Sequence, residues 1–113
     1  MKILIFESNL MWSSRLVQTI RNLGHEAVLI TKMPESSDEA SVAIVNLGDR
    51  GLDPVGLVAK LKSLGVPIIA HAGHKEKDLL ALGKEAGVDI LASNSQLTFK
   101  LADLLEQVEI PER

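Results

Sequence analysis

Short apolar runs alternate with segments of helical periodicity along almost the whole chain. Five runs are predicted to form strands, at residues 2–6, 26–30, 41–45, 66–70 and 89–92. A helix or loop signal follows each run, and the connections are short. Because strands that alternate with helices in this way pair in parallel through right-handed crossovers, the pattern predicts an open, doubly wound α/β sheet.

Two helices are clearly marked by their ends. Ser8 or Asn9 can cap the first helix, and Gly24 can stop it. Asp53 can cap the second, with Pro54 at the first helical position. Both helices carry apolar residues at helical spacing, namely Leu16, Val17, Ile20 and Leu23 in the first and Val55, Val58 and Leu61 in the second.

Two further helices follow the fourth and fifth apolar runs. The helix over about 75–86 has Gly83 in its interior, so we expect it to be the least stable. The last helix begins after Ser95 and directs one stripe toward the core: Leu97, Leu101, Leu104, Leu105 and Val108. The segment over 31–41 contains Pro34 and lacks apolar periodicity, which predicts a loop with at most one helical turn.

Composition narrows the class of protein. The 113 residues are 46% hydrophobic and include no cysteine, which predicts one globular domain over residues 1–113 without disulfides or thiolate chemistry. No apolar run approaches the roughly 20 residues that span a bilayer, so we expect no membrane association and a cytoplasmic location. The formal net charge is −3 and no basic patch stands out, which argues against nucleic-acid binding by this chain alone.

The predicted sheet edge at the downstream ends of the strands carries few reactive side chains. Open α/β sheets place their chemistry at this edge. Here the edge would bring together Glu7, Ser8, Asn46, Ala72 and Asn94. This set is too inert for catalysis, so we expect neither enzymatic activity nor a cofactor.

A weak candidate metal site lies near the same edge. His71 and His74 form an HxxH pair, and Glu7 could join them. Zinc sites need three or four converging ligands, and no further candidate lies nearby in the sequence. The favoured interpretation places one histidine against a strand end and the other in a solvated loop, with no metal bound.

Four sequence motifs occur in an order known from one protein family. KILIFESN opens the chain, and SVAIVNLGDRG, VPIIAHAG and AGVDILASNS follow it. Together they resemble the receiver domain of bacterial response regulators over almost the whole chain. The resemblance implies a flavodoxin-like (receiver-like), five-stranded parallel sheet of strand order 2-1-3-4-5. The segment over 31–41 is too short for the family's second helix, so that helix is expected to be short or missing.

The resemblance also assigns a role to each residue at the sheet edge. The family's two metal-binding acids are matched by Glu7 and Ser8, so only one carboxylate is left. Its phosphoryl-accepting aspartate is matched by Asn46, its switch Ser or Thr by Ala72, and its lysine by Asn94. Mg²⁺ prefers carboxylate oxygens, and phosphoryl transfer depends on electrostatic positioning. The resemblance therefore implies a pseudo-receiver that works without phosphorylation.

Helical geometry predicts exposed apolar side chains on two helices. At about 100° per residue, Met11 lies nearly opposite the core stripe of the first helix and Trp12 lies on its flank. Phe99 lies opposite the core stripe of the last helix. We expect a protein partner or a second copy to contact the face made by the helix over 75–86, the fifth strand and the last helix.

Three functional hypotheses follow from the sequence. The favoured one is a receiver-like signalling module that acts by protein–protein contact and independently of phosphorylation. The alternative is a small-molecule or metal-binding flavodoxin-like domain that uses the crevice near Glu7, Asn46, His71 and Asn94. The third is an enzyme with an unrecognised site. Because the fold alone hosts many functions, the choice depends on the geometry of the site.

Overall fold

The computed structural model describes residues 1–49 and 51–108. The elements are β1 (Lys2–Phe6), α1 (Leu10–Asn22), β2 (Glu26–Leu29), β3 (Val42–Asn46), α2 (Pro54–Ser63), β4 (Ile68–Ala72), α3 (Lys77–Ala86), β5 (Ile90–Ser93), α4 (Asn94–Phe99) and α5 (Leu101–Glu106). The strands form one parallel sheet of order β2-β1-β3-β4-β5, which confirms the predicted flavodoxin-like fold. None of the helices in this described part is long and apolar enough to cross a membrane.

The sheet has an apolar core on each of its faces. Successive residues of a strand point to opposite faces, so Ile3 and Ile5 of β1 pack toward one side and Leu4 and Phe6 toward the other. Helices α1, α4 and α5 cover the first side, and α2 and α3 cover the second. Burial on both faces explains why the strands are continuously apolar and do not alternate with polar residues.

Helix α1 has the predicted cap and the predicted orientation. The Asn9 side chain accepts a hydrogen bond from the Trp12 backbone N–H at 3.0 Å, so Asn9 and not Ser8 is the capping residue. Ile20 is fully buried, whereas Met11 is 83% exposed. The helical periodicity therefore assigned the core and solvent faces of α1 correctly.

The fourth strand begins two residues later than the apolar pattern predicts, at Ile68. Pro67 has no N–H to donate to a ladder, and the Asp89 side chain accepts the Ile68 N–H at 2.7 Å. Strand β5 is displaced by one residue in the same direction. The shift places His71 and Ala72 within β4, at the carboxyl edge of the sheet.

The last helix is broken, which corrects the single helix that the sequence predicts after Ser95. It begins at Asn94, because Ser93 and Gln96 form a reciprocal capping box with hydrogen bonds of 2.8 and 3.1 Å. At Lys100 the backbone leaves the helical region, with φ −129° and ψ 28°, and this residue separates α4 from α5. The predicted stripe is nonetheless buried in full: Leu97, Leu101, Leu104, Leu105 and Val108.

No helix connects β2 to β3 in the described chain, as the resemblance implies. Residues 30–41 instead form a loop, in which Asp38 and Glu39 have positive φ angles of 50° and 58°. Asp38 also forms an ion pair of 2.8 Å with Lys2. A cavity beside Thr31 and Leu52 shows that the α2 side of the sheet is partly uncovered there.

Close packing explains the glycine inside α3. A Cβ atom at Gly83 would lie 2.8 Å from Leu47 Cδ1 and 3.0 Å from Leu91 Cδ1. Both distances are shorter than ordinary van der Waals contact, so a larger residue would require Leu47 and Leu91, or the helix itself, to shift. The low helix propensity of Gly83 is therefore offset by the close approach that it allows.

Candidate functional site

A row of four polar residues crosses the carboxyl edge of the sheet on the side of α1. Asn46 pairs with His71 in the ladder between β3 and β4, and Glu7 follows β1 next to Asn46. Asn94 follows β5 and is hydrogen-bonded to His71. We call Glu7, Asn46, His71 and Asn94 the strand-end row. The structure thus brings Glu7, Asn46 and Asn94 together on one face as the sequence predicts, with His71 between Asn46 and Asn94.

Glu7 is buried beside the position of the family's phosphoryl acceptor. Its side chain is only 3% exposed. Its Oε1 accepts a hydrogen bond from Asn46 Nδ2 at 2.8 Å, and its Oε2 accepts one from the Asn9 backbone N–H at 3.2 Å. Burial raises the pKa of Glu7; the hydrogen bonds from Asn46 and Asn9 oppose this effect, and the nearby charge of Asp49 adds to it.

Asp49, which the sequence analysis does not single out, adds a carboxylate next to Ser8, although the two positions after β1 still supply only that of Glu7. Its Oδ1 accepts hydrogen bonds from Ser8 Oγ at 2.6 Å and from the Gly51 N–H at 2.9 Å, and its Oδ2 accepts the Ser8 N–H at 2.6 Å. Burial alone would raise the pKa of Asp49, but these hydrogen bonds outweigh it and the pKa is lowered. Ser8 has no carboxylate of its own, but its N–H and hydroxyl bind the carboxylate of Asp49 from the loop after β3.

The two carboxylates do not fit the Mg²⁺ site that the fold family implies. Each oxygen of Glu7 and Asp49 already accepts a hydrogen bond from the fold. Asn46 Oδ1 is also engaged, because it accepts the Gly48 N–H at 2.9 Å. Mg²⁺ demands oxygens arranged around it at short, nearly octahedral distances. These side chains are arranged around N–H and O–H donors instead.

The other half of the row is an uncharged pair made of the buried His71 and the exposed Asn94. His71 is 1% exposed, and its Nδ1 lies 2.7 Å from Asn94 Oδ1, so Nδ1 carries the proton and donates it. The ring also packs against Trp12, with 6.2 Å between ring centroids and a 47° tilt. Burial lowers the pKa of His71, and the hydrogen bond to Asn94 offsets part of this effect.

The histidine pair does not converge on a metal position. His71 is buried at the end of β4, whereas His74 is exposed in the turn that follows. Within residues 1–49 and 51–108, no group of three or more His, Cys, Asp or Glu side chains is arranged to hold a metal ion. Glu7, His71 and His74 therefore do not form the weak site considered from the sequence.

Ala72 lies on the opposite face from His71. It is buried in the core beneath α2 and α3, at the last position of β4. Its methyl group supplies no hydroxyl at the position matched to the family's switch residue. The β4 end of the site therefore lacks a hydrogen-bonding group for a phosphoryl oxygen, and Asn94 at the β5 end lacks a positive charge.

An open crevice lies above the strand-end row. Its volume is about 270 Å³, and it is lined by Glu7, Asn9, Trp12, Asn46 and Asn94. Trp12 is half-buried and forms part of this wall. Among the three apolar residues that the sequence singles out for contact, Trp12 thus belongs to the crevice, whereas Met11 and Phe99 are each 83% exposed.

Solved structures identify the class of fold. The chemotaxis protein CheY4 from Vibrio cholerae has a TM-score of 0.80 at 14% identity, covering 96% of this chain and 98% of that one. The signal receiver domain of a modulated diguanylate cyclase from Desulfovibrio desulfuricans has a TM-score of 0.78 at 17% identity, covering 95% and 91%. A CheY-like response regulator receiver domain protein from Methanospirillum hungatei has a TM-score of 0.74 at 19% identity, covering 94% of each chain.

These similarities define the chain as a domain with the receiver fold. No family model and no curated protein sequence matches it. The similarity to solved receiver domains nonetheless supports the resemblance of the sequence motifs to receivers. The function of the domain has to be argued from the residues at the strand-end row and on the surface.

Proposed function

We propose that this domain is a receiver-like regulatory module that acts by protein–protein contact in the cytoplasm and without phosphorylation. The hydrogen bonds of Asn46 are the observation that carries the proposal. Its Nδ2 donates to Glu7 and its Oδ1 accepts the Gly48 N–H, at 2.8 and 2.9 Å. An aspartate has no N–H to donate to Glu7, so the arrangement depends on the amide.

The neighbouring positions support the same proposal. Phosphoryl transfer relies on positive charge and metal ions that stabilise the transferred group. Asn94 is uncharged and its Oδ1 accepts a hydrogen bond from His71, while the oxygens of Glu7 and Asp49 are satisfied within the fold. The proposal accordingly includes no enzymatic activity and no cofactor.

Incubation with acetyl phosphate and Mg²⁺ tests independence from phosphorylation. Intact-protein mass spectrometry should show an unmodified chain. The Asn46→Asp variant should also stay unmodified, because Ala72 and Asn94 still lack the hydroxyl and the charge. A labile phosphoryl adduct on the wild-type chain that maps to the loop after β3 would overturn the proposal.

The proposed contact surface is the face made by α3, β5, α4 and α5. Each of the first three elements presents one exposed large apolar side chain there: Leu82, Leu91 and Phe99. Leu91 also contacts the position of Gly83, which joins β5 directly to α3. Exposed apolar side chains on adjacent elements are typical of protein-binding sites, and a protein partner or a second copy of the chain is the proposed occupant.

Substitution of Phe99 tests this surface. An aromatic anchor at an interface can contribute about 2 kcal/mol or more to binding, so Phe99→Glu should reduce self-association in sedimentation or the capture of a partner in pull-down. Met11→Glu is the matched control, because Met11 is equally exposed but lies on α1. Circular dichroism should show both variants folded. An effect of Met11→Glu without one of Phe99→Glu would move the contact surface to the start of α1.

A further inference from the structure

The hydrogen-bond acceptors of the crevice are already used by the fold. Four side chains that line it carry oxygen atoms: Glu7, Asn9, Asn46 and Asn94. Each of these oxygens accepts a hydrogen bond within the protein. Because each oxygen has two lone pairs, these bonds leave fewer acceptor positions, but not none, for the N–H or O–H groups of a ligand.

The donors of the same side chains are largely free. Asn9 Nδ2, Asn94 Nδ2 and Trp12 Nε1 have no hydrogen-bond partner among residues 1–49 and 51–108. Asn46 Nδ2 uses one of its two hydrogens on Glu7. Asn9 and Asn94 are exposed residues, and Trp12 Nε1 is not a buried atom without a partner. The crevice thus offers donors to an occupant that brings acceptors.

The charge of the lining favours an uncharged occupant. Glu7 is the one ionisable group among the described lining residues, and a buried carboxylate repels an anion. A metal cation would need several open oxygens, whereas the lining oxygens are engaged. The lining side chains therefore complement neither an anionic nor a cationic ligand.

The aromatic ring of Trp12 in the lining favours a flat molecule. The half-buried indole of Trp12 forms one wall, and aromatic rings stack well in offset or tilted arrangements. The volume of about 270 Å³ lies just below the roughly 300–1,000 Å³ of sites for drug-sized ligands. We infer that the crevice binds a small, uncharged, planar ring that is rich in hydrogen-bond acceptors and poor in donors. This activity goes beyond the contact function proposed above.

Caffeine is a suitable probe, because it is an uncharged fused ring whose nitrogen and oxygen atoms carry no hydrogen. Trp12 is the only tryptophan of the chain, so its fluorescence reports occupancy of the crevice directly. Titration should give a saturable change in emission with a Kd of about 1 mM, as expected for a ligand of this size. The side-chain amide resonances of Asn9 and Asn94 should shift in the same concentration range.

Asn9→Ser separates the donor of Asn9 from its structural role. Serine keeps an oxygen for the cap of α1 but removes the free amide donor, so caffeine binding should weaken about fivefold. Asn22→Ser, at the opposite end of the same helix, is the matched control and should bind as the wild type does. A linear, non-saturating change in emission, or equal binding by the Asn9→Ser variant, would refute the inference.

Discussion

The two halves of the strand-end row each bury an ionisable side chain whose neutral form is favoured, Glu7 in one half and His71 in the other, although their pKa values shift in opposite directions. On β1 and β3, two carboxylates are held by an amide, a hydroxyl and backbone N–H groups. On β4 and β5, a buried imidazole is paired with an amide and no charge is present. Burial raises the pKa of Glu7 but lowers that of His71, and both shifts favour the neutral form. These two shifts limit charge within the row, whereas the lowered pKa of Asp49 favours a charged carboxylate beside it.

The opposite shifts give the two halves opposite responses to pH. The pKa of Glu7 is raised above its ordinary 4.5, so its contribution to stability is present below pH 4.5 and is lost as the pH rises through the raised pKa. The pKa of His71 is lowered below its ordinary 6.5, so its contribution is present above pH 6.5 and is lost as the pH falls through the lowered pKa. Mild acid therefore reduces the cost of burying Glu7, whereas it destabilises the fold through His71 and, as the pH falls toward its lowered pKa, through Asp49.

The largest expected effect comes from adding charge to the carboxylate half. Asn46→Asp removes the N–H that Glu7 accepts and places a third carboxylate beside Glu7 and Asp49. A buried acceptor without a partner and a like charge together should lower the free energy of unfolding by about 3 kcal/mol at pH 7.5. The loss should shrink at pH 5, because a proton can then bridge the two acids.

Urea unfolding at both pH values measures this effect. Asn22→Asp makes the same chemical change at an exposed position of α1 and should alter stability by no more than about 0.5 kcal/mol. A loss that is equal at pH 7.5 and pH 5 would show that the repulsion between carboxylates is not its source.

The second effect concerns the imidazole half. His71→Leu removes the group whose protonation strains the fold in acid. Relative to the wild type, the variant should therefore gain up to about 1.4 kcal/mol of stability for each pH unit below 6.5, until the lowered pKa of His71 is reached. The lost hydrogen bond to Asn94 adds a constant offset that does not depend on pH.

Unfolding curves between pH 7.5 and pH 5 test this expectation. His74→Leu is the matched control, because His74 is exposed outside the row, and this variant should keep the pH dependence of the wild type. Parallel stability profiles for His71→Leu and the wild type would contradict the assignment of a buried, neutral His71.

The smallest effect tests the link between Ser8 and Asp49. Ser8→Ala removes the 2.6 Å bond from Ser8 Oγ but keeps the bonds from the Ser8 and Gly51 N–H groups. The free energy of unfolding should fall by about 1 kcal/mol at pH 7.5. Ser14→Ala, on the exposed side of α1, should be neutral or slightly stabilising. Equal unfolding midpoints for the two variants would mean that the hydroxyl contributes nothing to holding the loop.

Local patterns predicted most of the fold because its central strands β1, β3 and β4 are buried on both faces. The apolar runs located the five strands, and helical spacing placed Ile20 in the core and Met11 outside it. The predicted loop over 31–41 is also confirmed. The predicted start of a strand or helix was wrong where one side chain determines it. The Asp89 side chain accepts the N–H of Ile68 at the start of β4, and Ser93 caps α4 earlier than expected.

The sequence by itself determined the chemical character of the site and the sheet that carries it. At the positions that the resemblance matches to the acceptor, the switch hydroxyl and the lysine, the chain has an amide at 46, a methyl at 72 and an amide at 94, whatever the detailed packing. Only the tertiary structure decided which side chains of the site form hydrogen bonds with one another. Asp49 meets Ser8 across 41 residues and His71 meets Asn94 across 23, because parallel strands bring distant segments to one edge, and no local pattern encodes such a meeting.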